Sequence, residues 1–145
     1  MSATSPDAGS ARLRGIIEDS IREAGALEHA LEDERRALEN RDAAALGAAA
    51  EEKRHRVARL EILEAERKTA SSRVQGTPEQ TAQWRKFLSI VGRCNTLNTT
   101  NGAIIRLRRQ QITDALRVVS GTRAETYGPS GSESTSRPRQ ALAAV

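Results

Sequence analysis

The chain has 145 residues, 37% of them hydrophobic, but 23 of these are Ala and only Trp84, Phe87 and Tyr127 are aromatic. The remaining 31 larger apolar residues are too few for a broad two-layer core around a deep substrate pocket, and the dominance of Ala, Leu, Glu and Arg favours long helices over a sheet. The net charge of +4 is unevenly spread: residues 1–76 carry 13 basic and 15 acidic side chains, whereas residues 77–121 carry seven and two.

A single cysteine, Cys94, excludes an intrachain disulfide and a multi-cysteine metal site. The start, MSATSPDAGSAR, has no basic segment followed by an apolar run, and no stretch approaches the length of a membrane span. The expectation is a cytoplasmic chain that does not insert into membranes, needs no cofactor or metal and is not an enzyme.

Residues 1–10 are small and polar, with Pro6 and Gly9, and read as a mobile N-terminal arm. Ser10 suits an N-cap, and a first helix follows over about 11–40. Its apolar stripe is Leu13, Ile16, Ile17, Ile21, Ala24, Leu27, Leu31 and Leu38, at helical spacing. The run Glu32-Asp33-Glu34-Arg35-Arg36 reads as a solvated face of that helix.

Asn40-Arg41-Asp42 breaks the pattern, and Asp42 suits the N-cap of a second helix over about 43–72. Leu46, Val57, Leu60 and Leu63 give this helix a thinner stripe, extended by Val74 just beyond it. Two Ala triplets, 43–45 and 48–50, would let it approach its neighbour closely near the turn. Lys53 and Arg67 fall beside the seam, where their aliphatic stems can cover apolar surface.

Gly76-Thr77-Pro78-Glu79 is the clearest punctuation: a helix end, an N-cap, a first-turn proline and an acid at the positive end. A third helix is predicted over 78–120, stopped by Gly121. Its stripe is Trp84, Phe87, Leu88, Val91, Cys94, Leu97, Ile104, Ile105, Ile112, Leu116 and Val119. Residues 122–145 are rich in Ser, Gly and Pro and read as a flexible tail. The fold class is therefore all-α: an elongated up-down-up antiparallel three-helix bundle or coiled coil over 11–121, with disordered termini.

At 1.5 Å per residue the first two helices would span about 45–48 Å and the third about 65 Å, so the C-terminal end of the third is expected to protrude. The apolar stripe nevertheless continues into that end through Ile112, Leu116 and Val119. An apolar strip that outruns its own core is a docking surface for another amphipathic helix; a homodimer through the same strip is the competing reading. Arg106, Arg108, Arg109 and Arg117 surround the strip. Their interleaving with Ile and Leu suits the rim of a protein interface better than a nucleic-acid patch, since phosphate contacts need no apolar row.

Asn95, Asn98 and Asn101 recur every three residues in the third helix, followed by Gly102. They read as seam residues that set the register of the bundle, with local flexibility as the secondary reading. His29 and His55 read as solvated, and Cys94 as a buried filler.

Three blocks add a resemblance: ALENRDAAALGAAAEEKRHRVARLEILEAER at 37–67, CNTLNTTNGAIIRLRRQQITDALRVVSG at 94–121, and Tyr127-Gly128-Pro129-Ser130-Gly131. As an ordered set spanning most of residues 11–131, they resemble the FlgN family of flagellar type III export chaperones. The resemblance implies a cytoplasmic chaperone without ATPase activity that binds hook-associated proteins, keeps them from assembling early and delivers them to the export apparatus. It implies substrate binding through the C-terminal part of the third helix, here Ile104, Ile105, Arg108, Ile112, Leu116 and Val119. It also implies docking at the export apparatus through Tyr127 and Gly128, beside an ordinary reading in which Tyr-Gly-Pro turns the chain. The competing functions are a self-associating coiled-coil structural protein and a basic helical nucleic-acid-binding protein.

Overall fold

The computed structural model describes residues 6–126. Most of them lie in three helices: α1 (Pro6–Asn40), α2 (Ala43–Ser71) and α3 (Pro78–Thr126). No strand occurs among the described residues, and none of these helices is long and apolar enough to cross a membrane. The described residues fall into two compact units divided after Ile104.

The first unit is an all-α bundle whose directions can be read from its cross-links. Gln80 reaches Ser10, Cys94 reaches the Ala24 carbonyl, and Asn101 reaches the Leu31 carbonyl, each pair 70 residues apart. A constant offset means that α1 and α3 rise side by side in parallel. Lys53 reaches Asn98 while Arg67 stacks on Trp84, so residue numbers climb on α2 as they fall on α3, and those two are antiparallel. This is up-down-up connectivity.

α1 carries the largest part of the core. Leu13, Ile16, Ile17, Ala24, Leu27, Leu31 and Leu38 are buried, as its stripe predicts, and Ile21 is half-buried. Ala24, Leu27 and Leu31 meet Ile90 and Cys94 of α3, with Leu60 of α2 packed against them. The thinner stripe of α2 shows as only two buried residues, Ala49 and Leu63. Of the two Ala triplets, Ala49 alone is buried, and Gly47 sits in the helix with open space where a Cβ would point.

The α1–α2 turn closes by backbone geometry. Asp42 N–H donates to the Ala37 carbonyl at 3.0 Å and Arg41 N–H to the Leu38 carbonyl at 3.3 Å, with Arg41 in the left-handed region at φ 53°. These paired bonds satisfy carbonyls that a helix end leaves free. Asp42 then caps α2, accepting from Ala45 N–H at 3.0 Å. At the α2–α3 junction Thr77 and Gln80 exchange bonds reciprocally, Gln80 N–H to Thr77 Oγ1 at 3.1 Å and Thr77 N–H to Gln80 Oε1 at 3.0 Å. This capping box leaves the Gln80 amide free to bind α1.

Three boundaries differ from the sequence reading. The expected arm over 1–10 is shortened, because α1 begins at Pro6, where a first-turn proline loses no hydrogen bond and Asp7 faces the positive helix end. Ser10 is therefore not a cap; its carbonyl and hydroxyl accept from Gln80 Nε2 at 3.1 and 3.2 Å. Gly9 lets this first stretch close on the α2–α3 connection, since a Cβ there would lie 2.6 Å from Val74 Cγ1. Gly121 does not stop α3, which continues to Thr126; no described glycine has positive φ, so the left-handed cap that ends a helix is absent there. α2 ends at Ser71, one residue early. Residues 1–5 and the remaining tail expectation, residues 127–145, lie outside the described residues.

Candidate docking surface

Residues 105–121 of the second unit lie on α3, and most of their side chains are exposed. Ile112 is 61% exposed, Leu116 61% and Val119 52%. They recur at helical spacing, so they form one row along the helix. Leu107 and Val118, which the predicted stripe leaves out, are also exposed and lie on another side of the same helix. Ile105 and Arg108 are half-buried, as is Ile104 at the end of the first unit.

Basic charge accompanies these rows. Within residues 105–121, Arg106, Arg108, Arg109 and Arg117 face a single acid, Asp114. Arg117 stands 3.9 Å from Asp114, which also accepts from Gln110 Nε2 at 3.0 Å. Arg106, Arg108 and Arg109 form no ion pair among the described residues. In the first unit, by contrast, Arg93 forks onto Glu28 at 3.0–3.1 Å and Arg56 reaches Glu23 at 3.0 Å.

The seam asparagines separate. Asn95 and Asn98 are exposed, Gly102 is half-buried, and Asn101 is 1% exposed. Asn101 Nδ2 donates to the Leu31 carbonyl and to Glu34 Oε2, both at 2.9 Å. Lys53 Nζ reaches Glu34 Oε1 at 2.8 Å and Asn98 Oδ1 at 3.3 Å. One buried carboxylate thus joins α1, α2 and α3. Glu34 is not part of a solvated face, as its acidic neighbours suggested, but is 2% exposed. A carboxylate is tolerated there because a lysine and an amide satisfy it. Nothing in the run Glu32-Asp33-Glu34 marks which acid turns inward; the signal is that Glu34 lies three residues past Leu31 and four before Leu38, on the stripe itself.

Near the other end of α2, Arg67 lies 4.0 Å over the Trp84 ring, which stacks on Phe87 with centroids 4.5 Å apart. Arg67 also forks onto Glu64 at 2.8–2.9 Å. That hydrogen bond, with the guanidinium charge, holds the Glu64 carboxyl below its ordinary range. Between this clamp and the Lys53–Asn98 link runs a groove of about 540 Å³ lined by Leu27, Leu31, Val57, Val91 and Cys94. Cys94 is buried, and its thiol is pushed up chiefly by desolvation. Leu88 departs from the predicted stripe at 51% exposed, while Ile90 joins the core in its place.

His29 and His55 are exposed, with His29 Nδ1 at 3.5 Å from Glu32. Among the described residues no group of three or more His, Cys, Asp or Glu side chains is placed to hold a metal ion. Tyr127 and Gly128 lie outside the described residues.

Comparison with curated proteins and with solved structures gives no match. The family described as FlgN protein matches residues 9–135, a span that takes in all of α2 and α3 and all but the first three residues of α1. With its all-helical bundle, the chain belongs to the FlgN family, chaperones of flagellar protein export.

Proposed function

We propose that this chaperone acts in the cytoplasm on the hook-associated proteins that join hook to filament, and that it holds them through residues 104–119. The observation that carries the reading is the exposure of Ile112, Leu116 and Val119, more than half their surface each, in a row close to arginines that form no ion pair among the described residues. Leaving such a row in water is costly, and an amphipathic helix laid along it recovers that burial. Ile104, Ile105 and Arg108 continue the binding segment. Arg106 and Arg109 steer an acidic partner and keep the free chaperone soluble.

The mechanism needs no bond chemistry. An export substrate whose terminal helices polymerise after secretion would aggregate before it. The chaperone offers its own helix in place of the later partner and gives the substrate up at the export apparatus. Tyr127 and Gly128 are the proposed contact there. A helix row rimmed by charge suits binding that is specific yet reversible. Asn101, with Asn95, Asn98 and Gly102 nearby, is the proposed register element, since a buried polar contact penalises a slipped pairing.

The test is co-purification of a hook-associated protein with the full chain carrying Ile112→Asp or Leu116→Asp. Binding should be lost while thermal melting changes little. Loss of helicity would make these residues core, and unchanged binding would move the site elsewhere.

A further inference from the structure

We infer that the occupant of residues 105–121 is a pair of packed amphipathic helices carrying acidic residues along their flanks, not a single helix. The inference rests on the proposed function and specifies the kind of partner that the site takes. It begins with the width of the apolar surface. At 3.6 residues per turn, two apolar rows, Leu107 with Val118 and Val119 with Ile112 and Leu116, bound an arc of about half the helix circumference, with Gln111, Ala115 and Arg108 in the strip between them. A helix that meets one neighbour needs a stripe of only about 100°.

The first unit shows what such a width accommodates. There α3 touches α1 through Arg93, Cys94 and Asn101 and touches α2 through Asn98 and Trp84. Those residues also span about half the circumference at 3.6 residues per turn, and two antiparallel helices fill it. In residues 105–121 an arc of the same width lies in water, with Leu107 60%, Leu116 61% and Val119 52% exposed. One docked helix would cover either the Leu107 margin or the Leu116 margin and leave the other wet.

Charge selects among two-helix occupants. Residues 105–121 carry four arginines and one acid, and three of the arginines lack an ion pair among the described residues. A second copy of this chain would set two such faces together and bring arginine against arginine, which opposes association. A foreign helix pair with Asp or Glu beside its apolar seams answers both the width and the charge.

The test places one thiol on each margin of the full chain, Leu107→Cys or Leu116→Cys, with Cys94 as a slow internal reference because it is buried. Alkylation rates are measured with the chain free and in complex with a purified hook-associated protein. The expected result is that complex formation slows both introduced thiols at least about tenfold. Protection of Leu116→Cys alone, or of Leu107→Cys alone, overturns the inference in favour of a single docked helix and leaves the proposed function standing. Protection of neither, in a complex that forms, places the substrate elsewhere and overturns both. Protection of both in the free chain, with a doubled mass by light scattering, identifies a second copy as the occupant and overturns the inference. Failure of the unaltered chain to bind the hook-associated protein removes the proposed function and this inference with it.

Discussion

Asn101 of α3 donates its side-chain amide to the Glu34 carboxylate of α1 at 2.9 Å, with both residues at least 98% buried. The same nitrogen holds the Leu31 carbonyl, so the amide orientation is determined: reversing it would set oxygen against two acceptors. Asn101 Oδ1 is left without a partner, the one buried polar side-chain atom in that state among the described residues. The geometry of Glu34 thus depends on a single asparagine and a single lysine.

Asn101→Ala should destabilise the protein by about 2–3 kcal/mol, because a buried carboxylate and a buried carbonyl both lose a donor. Denaturant unfolding monitored by circular dichroism measures it. Asn95→Ala, at an exposed position of the same repeat, should cost under about 0.5 kcal/mol.

Lys53→Met should cost about 2–3 kcal/mol by leaving Glu34 charged and unpaired; the partial exposure of Lys53 keeps it below the cost of a fully buried pair. Adding Glu34→Gln should restore part of the loss, since a neutral amide needs no counter-charge. A double-mutant cycle with no coupling would show that the pair is not energetically linked.

Arg41→Gly should raise stability by about 1 kcal/mol. Arg41 holds φ 53° at the end of α1, a conformation that costs an L-residue energy and glycine nothing. A rise in melting temperature with unchanged helicity is the expected readout.

Arg67→Met should remove both the Trp84 contact and the Glu64 fork, at a cost of about 1 kcal/mol given the partial exposure of the pair. Trp84 is the only tryptophan, so its emission reports the contact directly. Glu64 is depressed in the folded state by its hydrogen bond to Arg67. Its contribution to stability is therefore present above the ordinary glutamate value and lost as pH falls through the depressed one. The difference in stability between wild type and Arg67→Met should shrink across that acidic window.

Cys94 should react with iodoacetamide far more slowly in the folded protein than in denaturant, by at least about tenfold, because burial raises its pKa and hides the thiolate. Rapid labelling of native protein would place the α1–α3 contact at Ala24 in frequent opening.

Helix existence and the face of α1 that turns inward were legible in the order of residues, because Leu13, Ile16, Leu27, Leu31 and Leu38 repeat at the helical period and burial follows that repeat. The caps at Asp42 and Thr77 were legible too, since capping is a local bond between neighbours in the chain. The exposure of Ile112, Leu116 and Val119 was anticipated from helix lengths alone. Contacts between distant residues were not. Glu34 falls on the stripe between Leu31 and Leu38, but the groups that satisfy its buried carboxylate, Lys53 and Asn101, lie 19 and 67 residues away. Pro6 and Asp7 are local signals for the start of α1, but the contacts along its first turns, Gln80 bonding Ser10 and Val74 lying where a side chain at Gly9 would fall, come from far along the chain. Periodicity and capping are properties of a few consecutive residues; which polar group is buried, and where a weak helix end holds, depends on neighbours that only packing supplies.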